Sequence, residues 1–228
     1  MARHTKEEAL ATRESLLDAA EMVFEERGVS RTSLEQIAAA AGVTRGAVYW
    51  HFRNKSDLFN AMMARAVLPL EQHWHGAIDE ADPLRHLEQA VMHVLRQTAS
   101  QPRLQRVFAI ATQKVEFTDE VSGIRERHAQ VRRAFVDRLQ EMLRLARSRG
   151  MLSRHVSVGA AALGLHALLD GLIGNWMLDR ASFDLVRVGR AAVRAYLAGV
   201  GARPEDLAAN ASSTQQPTAE SPRRLTAA

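Results

Sequence analysis

No cysteine occurs anywhere in the 228 residues, so disulfides, thiolate metal sites and a catalytic thiol are excluded, and a reducing compartment poses no difficulty. No apolar stretch approaches the roughly 20 residues that cross a bilayer, and the charged opening MARHTKEE lacks the apolar middle of a signal peptide. A cytoplasmic protein without a membrane partner is the expectation. Alternation of period two is missing, as are glycine-rich turns between β-branched runs, which argues against strands. Neither a phosphate-cradling glycine loop nor a nucleophile elbow is present, so neither enzymatic activity nor a cofactor is expected. His73 and His75 stand two apart and point to different sides of a helix, and His86 and His93 lack a third ligand, so no metal site is expected either.

What is present is helical and globular: 46% apolar and 25% charged residues, in a chain long enough for one substantial core plus a small extra domain. The most informative stretch runs from Thr32 to Lys55, TSLEQIAAAAGVTRGAVYWHFRNK. Thr32 and Glu35 have the capping-box spacing that starts a helix, and Leu34, Ile37, Ala38 and Ala41 give that helix one apolar face. Gly42 supplies the left-handed backbone that a sharp corner needs, Val43 plugs its inside, and Thr44 caps a second helix anchored by Val48 and Phe52. This is a helix-turn-helix.

Recognition helices of this kind present their first turns to the major groove, where an arginine donates two bonds to guanine and a glycine permits close approach. Arg45 and Gly46 fit those roles. Tyr49, His51 and Lys55 suit phosphates through a hydroxyl, an imidazole and an ammonium, Thr32 and Ser33 lie at a helix N-terminus that favours an anion, and Thr44 and Trp50 complete the candidate DNA-binding set. The alternative reading is that Tyr49, Trp50 and His51 are the packed end of a small bundle. The net charge of +4 points to nucleic acid only weakly. Its distribution is the better guide, since Arg31, Arg45, Arg53 and Lys55 stand against Glu35 alone between residues 31 and 55. Arg3, Lys6 and Arg13 form either an N-terminal arm onto DNA or a solvated charged segment.

The pattern Gly28, Thr32, Ile37-Ala38, Ala41-Gly42-Val43-Thr44, Gly46, Tyr49, His51-Phe52, Lys55 and Leu58 resembles the N-terminal domain of the TetR family of bacterial transcriptional repressors. The opening RHTKEEALATRESLLDAAEMVFEERG and the string TRGAVYWHFRNK resemble more narrowly its AcrR and TtgR branch, which represses multidrug efflux pump genes. In the second half the match thins to KVEFTDE at Lys114 to Glu120 and LLDGLIGNW at Leu168 to Trp176. The resemblance implies a homodimeric repressor that binds a palindromic double-stranded DNA operator and is released by a hydrophobic or drug-like inducer.

Helical spacing extends along the rest of the chain. A helix from Lys55 to about Ala81 links a DNA-binding domain (1–54) to a ligand-binding and dimerisation domain (55–200), and residues 201–228, rich in Ala, Ser, Thr, Gln and Pro, form a tail expected to be disordered. Pro83 starts one helix, Pro102 breaks it, and Gly150 ends a long one with a turn near Thr118-Asp119 before it. The fold class is all-α, with an N-terminal three-helix helix-turn-helix domain followed by a larger helical bundle.

The segment from Val158 to Leu178 is apolar nearly all round and must be buried on more than one side. Gly164, Leu168, Gly171 and Asn175 share one face, where each interior glycine costs about 1 kcal/mol relative to alanine and allows another backbone to come close. That face, with Val193 and Leu197 of the last helix, is the candidate dimer contact, in a two-fold four-helix arrangement. The opposite face carries His166, Leu169, Asp170, Ile173 and Met177. A carboxylate among leucines needs a partner, so Asp170 receives either a ligand group or a structural one. Phe108, Thr112, Phe135 and Leu139 complete the candidate ligand-binding set, and Met62, Met63, Met92 and Met142 would add adaptable wall. Two alternatives remain at this level: an activator or a regulator of a metabolic operon with the same DNA grip, and a helical ligand-binding module that does not touch DNA.

Overall fold

The computed structural model describes residues 6–74, 78, 81–115, 122–203 and 206, and all the regular structure among them is helical. The elements are α1 (Lys6–Arg27), α2 (Leu34–Ala40), α3 (Arg45–His51), α4 (Lys55–Trp74), α5 (Pro83–Ser100), α6 (Pro102–Gln113), α7 (Ser122–Ser148), α8 (Val158–Leu178) and α9 (Leu185–Gly199). The expected turn at Thr118-Asp119, most of the KVEFTDE motif, Arg3, His75 and residues 207–228 lie outside the described residues.

Two apolar cores organise the chain. In the first, Leu16, Leu17, Ala20 and Phe24 of α1 close against Ile37 and Ala38 of α2, Val48 of α3, and Leu58, Phe59 and Met62 of α4. This core does not stop at residue 54: Val107, Ile110 and Ala111 of α6 and Ile124 of α7 belong to it. The DNA-facing unit therefore shares its interior with the helix that enters the second half. The second core joins α5, α7, α8 and α9 through residues such as Leu87, Leu95, Leu143, Leu165 and Leu197. Past α9 the chain stays packed a little further than its composition suggests, since Ala202 is buried and donates its N–H to the Leu197 carbonyl.

Local chemistry sets the helix ends. Asp82 caps α5, accepting from the Arg85 N–H, with Pro83 in the first turn; Asp184 caps α9 in the same way. Gly42 sits at φ +69° between α2 and α3, a conformation that β-branched neighbours would resist. At Asn54, the side chain accepts from the Asp57 N–H at 2.8 Å while the Asp57 carboxylate accepts from the Arg53 N–H at 3.1 Å, which fixes the corner between α3 and α4.

Helix α8 departs from one expectation. With 21 residues and a mean hydropathy of 1.3 it is long and apolar enough, by length and composition, to cross a membrane, although Asp170 and His166 interrupt it. Only 28% of its most apolar window is buried within one chain.

Candidate nucleic-acid interface and ligand cavity

Helices α2 and α3 form the corner read from the sequence, with one shift of a residue at its start. Ser33, not Thr32, caps α2: its hydroxyl accepts from the Gln36 N–H, and the Gln36 side chain accepts from the Ser33 N–H at 2.9 Å. Thr32 is buried, and its hydroxyl donates to the Gly28 carbonyl at 2.8 Å, so its side chain braces the turn after α1 and is not available to a phosphate. Thr44 caps α3 as expected, accepting from the Ala47 N–H at 3.2 Å.

Lys55 also has a different role from the expected one. Only 6% exposed, it donates from Nζ to the carbonyls of Ser30 (3.0 Å) and Thr32 (2.9 Å), tying the start of α4 to the loop between α1 and α2. An ammonium so enclosed positions the reading unit from inside and does not offer itself to the DNA backbone. A buried lysine in this pattern looks identical in sequence to a phosphate-binding one.

Arg45, Gly46, Tyr49 and Trp50 are exposed on the outer side of α3, while Val48 and Phe52 anchor its inner side. Trp50 is 73% exposed, which rules out the packed-end reading for that residue; its ring meets His51 edge-on at 4.5 Å. Burial, then the nearby Arg13 charge, holds the His51 imidazole below its ordinary range, which favours its neutral form at neutral pH. Arg13 itself lies 5.3 Å over the Phe52 ring and braces the head from within. Glu35 on α2 faces the recognition helix: it accepts from the Tyr49 hydroxyl at 2.9 Å and pairs with Arg45 Nε at 3.1 Å. Its own backbone N–H, then Ser33 and Tyr49, with the Arg45 charge, hold its carboxyl below the usual range. A phenol has one proton to give. While Tyr49 gives it to Glu35, it has none for a phosphate, which only accepts.

In the second half a cavity of about 570 Å³ opens between α4, α5, α6, α7 and α8. Seven of the eight expected residues line it: Phe108, Thr112, Phe135, His166, Leu169, Asp170 and Ile173. Leu139 does not. It is fully buried among the residues of the second core, one helical turn from Phe135 on the same α7 stripe but on the packed side. Of the four methionines only Met63 reaches the cavity, whereas Met62, Met92 and Met142 are core.

The walls are apolar except at one pole, where His128, Arg132, His166 and Asp170 converge from α7 and α8. His166 Nδ1 lies 3.2 Å from Asp170 Oδ2, and its ring meets Phe135 edge-on at 5.5 Å. Although 70% of the Asp170 side chain is open, the apolar walls around it desolvate its carboxyl enough to raise it above its ordinary range, against the pull of His166, Arg132 and His128; burial lowers the His128 imidazole, against Asp170. The expected set lacks His128 and Arg132, because helical spacing on α7 does not tell which neighbouring helix a side chain faces. An apolar chamber with one polar end is the make-up of a small-molecule site.

Residues 16–62 match the model of bacterial regulatory proteins of the tetR family, and residues 82–200 match that of the MAATS-type transcriptional repressor C-terminal region. The chain belongs to the TetR family. It is 39% identical over 186 residues to the HTH-type transcriptional repressor BepR of Brucella suis, covering 81% of this chain and 89% of that one. The crystal structure of NalD, the secondary repressor of the MexAB-OprM multidrug efflux pump in Pseudomonas aeruginosa, superposes with a TM-score of 0.79 at 37% identity, over 86% of this chain and 98% of NalD. The SmeT–triclosan complex aligns at a TM-score of 0.77 and 32% identity, over 92% and 100%.

In this TetR-family chain the DNA-reading head and the cavity are physically joined by α6. One side of α6 lines the cavity with Phe108, Ala111 and Thr112, and another enters the head's core with Val107 and Ile110. At its end the Lys114 carbonyl accepts from the Val29 N–H at 2.9 Å. At its start Arg103 Nε lies 2.8 Å from Glu21 of α1, a carboxylate almost wholly buried, which also meets Arg65 of α4 at 2.5 Å and Arg106 of α6 at 3.7 Å.

The expected dimer contacts divide. Val193 and Leu197 are fully buried in their own chain's core, and Gly164 faces Tyr196 of the same chain, whose ring a side chain there would strike. The spacing made an apolar stripe legible, but not which chain it packs against. Gly171 and Asn175 are exposed, Leu168 is half-buried, and nothing lies within 4 Å of where a Gly171 side chain would start. Asn175 donates to the Gly171 carbonyl at 2.7 Å. On the same helix Leu163 is 49% and Leu178 75% exposed.

Proposed function

We propose that this chain is a cytoplasmic, homodimeric repressor of a multidrug efflux operon, released from a palindromic operator when a hydrophobic, drug-like molecule enters the cavity. The observation that carries this reading is the position of α6, which is at once a cavity wall and part of the head's core. Solved relatives described as repressors of multidrug efflux pumps support the target class, and a relative in complex with triclosan supports an apolar inducer.

The proposed DNA-contacting residues are Ser33, Thr44, Arg45, Gly46, Tyr49, Trp50 and His51. Arg45 reads a base edge, Ser33, Thr44, Trp50 and His51 hold phosphates, Gly46 allows close approach, and Tyr49, whose hydroxyl serves Glu35, meets the DNA through its ring. Two heads on one face of B-DNA must stand about 34–36 Å apart. A ligand that wedges α6 away from α8 drags the Lys114–Val29 and Arg103–Glu21 contacts, and with them the head. To reverse a 99:1 preference it must bind the released state about 10⁴-fold better.

The dimer face we propose is the exposed part of α8, Leu163, Ala167, Gly171, Asn175 and Leu178, with the exposed Ala191, Ala195 and Ala198 of α9. Small residues there allow two helix pairs to approach closely, and a second copy would cover the apolar surface that one chain leaves open.

Gel-shift titration against DNA upstream of the chain's own gene, with random DNA as control, tests the reading. Preferential binding that is lost on adding a cavity ligand supports it. Equal binding to both DNAs favours a ligand-binding bundle without a regulatory role.

A further inference from the structure

Glu35 is the one acidic side chain between residues 31 and 55, and it packs against the recognition helix that we propose meets DNA. Placing a carboxylate toward phosphates costs affinity, so its geometry there calls for a reason. One of its oxygens, Oε1, accepts from the Tyr49 hydroxyl at 2.9 Å and pairs in charge with Arg45 Nε at 3.1 Å. Arg45 and Tyr49 are one turn apart on α3, and the guanidinium lies 5.6 Å from the Tyr49 ring centre. The arginine, 73% exposed, is thus held on two sides although nothing buries it.

We infer that Glu35 is a specificity-determining residue that positions Arg45, fixing the plane of its guanidinium so that the two terminal amino groups face the bases. The inference rests on the reading of Arg45 as the base contact. An arginine has five donors in a rigid fork. With the Nε side of the guanidinium drawn to the Glu35 carboxylate, Nη1 and Nη2 are the donors turned away from α2, and end-on donation to guanine O6 and N7 is the approach this favours. A free arginine would also swing to the nearest phosphate, a contact every sequence offers. The carboxylate opposes that swing and repels random backbone, so it lowers binding to all DNA while sharpening the choice of one base pair.

The test uses a duplex enriched from a random pool by the wild-type protein, single base-pair variants of it, and a scrambled duplex. Glu35→Ala is expected to cut the preference at one base pair about tenfold, the same pair that Arg45→Ala relaxes. It is also expected to raise affinity for the scrambled duplex roughly two- to fivefold. In the Arg45→Ala background, Glu35→Ala should bring no further loss of preference. Glu35→Gln keeps an acceptor for Arg45 and Tyr49, and should retain part of the preference while showing the same gain on scrambled DNA. It stands in if Glu35→Ala unfolds. Unchanged base preference in Glu35→Ala, with Arg45→Ala relaxing it, overturns the positioning role alone. Unchanged preference in Arg45→Ala overturns the reading of Arg45 and the inference with it.

Discussion

The backbone N–H of Val29, in the turn that follows α1, donates to the carbonyl of Lys114 at the end of α6, 2.9 Å away. Eighty-five residues of chain separate them, yet they join the unit that grips DNA to the helix that walls the ligand chamber. The Glu21 cluster makes a second tie at the other end of α6. A helix tied to the head at both ends gives a contiguous path along which displacement of the cavity wall would reach the head.

Glu21 is therefore the side chain whose loss should uncouple the halves. Glu21→Gln takes from Arg65, itself 15% exposed, its nearest carboxylate while Glu14 at 2.8 Å and Asp18 at 3.0 Å remain, so the loss is about 1–3 kcal/mol. Urea unfolding should show that loss. In the surviving folded dimer, a ligand that binds the cavity should release DNA less well than from wild type, measured by fluorescence anisotropy.

Lys55 distinguishes bracing from direct contact. Lys55→Met removes two charge-assisted bonds to backbone carbonyls and should lower stability by about 1.5–3 kcal/mol, with weaker binding to every DNA following from a loosened head. An unchanged unfolding midpoint, together with a salt slope reduced by about one, would put the ammonium on a phosphate after all.

Arg45→Ala should cost about 1–3 kcal/mol of discrimination at one base pair. Comparison of operator variants by gel shift measures it. Equal losses on specific and random DNA would assign Arg45 to the backbone.

The corner of α2 and α3 was legible because its signals act within four residues: Gly42 at the turn, Thr44 accepting from Ala47, Val48 and Phe52 facing inward. The cap of α2 slipped by one residue because Thr32 and Ser33 are both competent, and the choice falls to a bond that Thr32 makes backward to Gly28. The cavity was largely legible from the apolar α8 with its lone carboxylate. His128 and Arg132 were not, since only the packing of α7 on α8 turns them inward. Leu139, Val193 and Leu197 failed as site residues for a related reason: period shows that a residue is buried, never against what.

The polar pole gives the cavity a pH dependence with a definite sign. Burial lowers the His128 imidazole, so the fold favours its neutral form. That contribution is complete above the unfolded value near 6.5 and is lost as pH falls through the lower folded value. Binding of a neutral apolar ligand should stay constant above pH 6.5 and weaken as pH falls below it, as isothermal calorimetry would show, and His128→Gln should flatten the change. Asp170 has the opposite sign: its raised carboxyl makes ionisation in the fold unfavourable. Asp170→Asn should raise the unfolding midpoint slightly at pH 7, only slightly because 70% of the side chain is open to water and its His166 pairing is lost at the same time.

A charge on the exposed α8 face tests the dimer. Leu163→Arg places a guanidinium where two copies would meet, and sedimentation should show monomers at concentrations where wild type is dimeric. Operator affinity should fall with it.

The most direct measurement joins both halves in one titration. A compound that raises the unfolding midpoint of the purified protein, and fails to do so when Phe108→Arg fills the cavity, is added to the complex with upstream DNA. Release of the DNA, with affinity falling at least tenfold at saturating compound, is the expected result. Compound bound in the cavity while operator affinity stays the same would contradict the coupling through α6 and, with it, the proposed role as a ligand-released repressor.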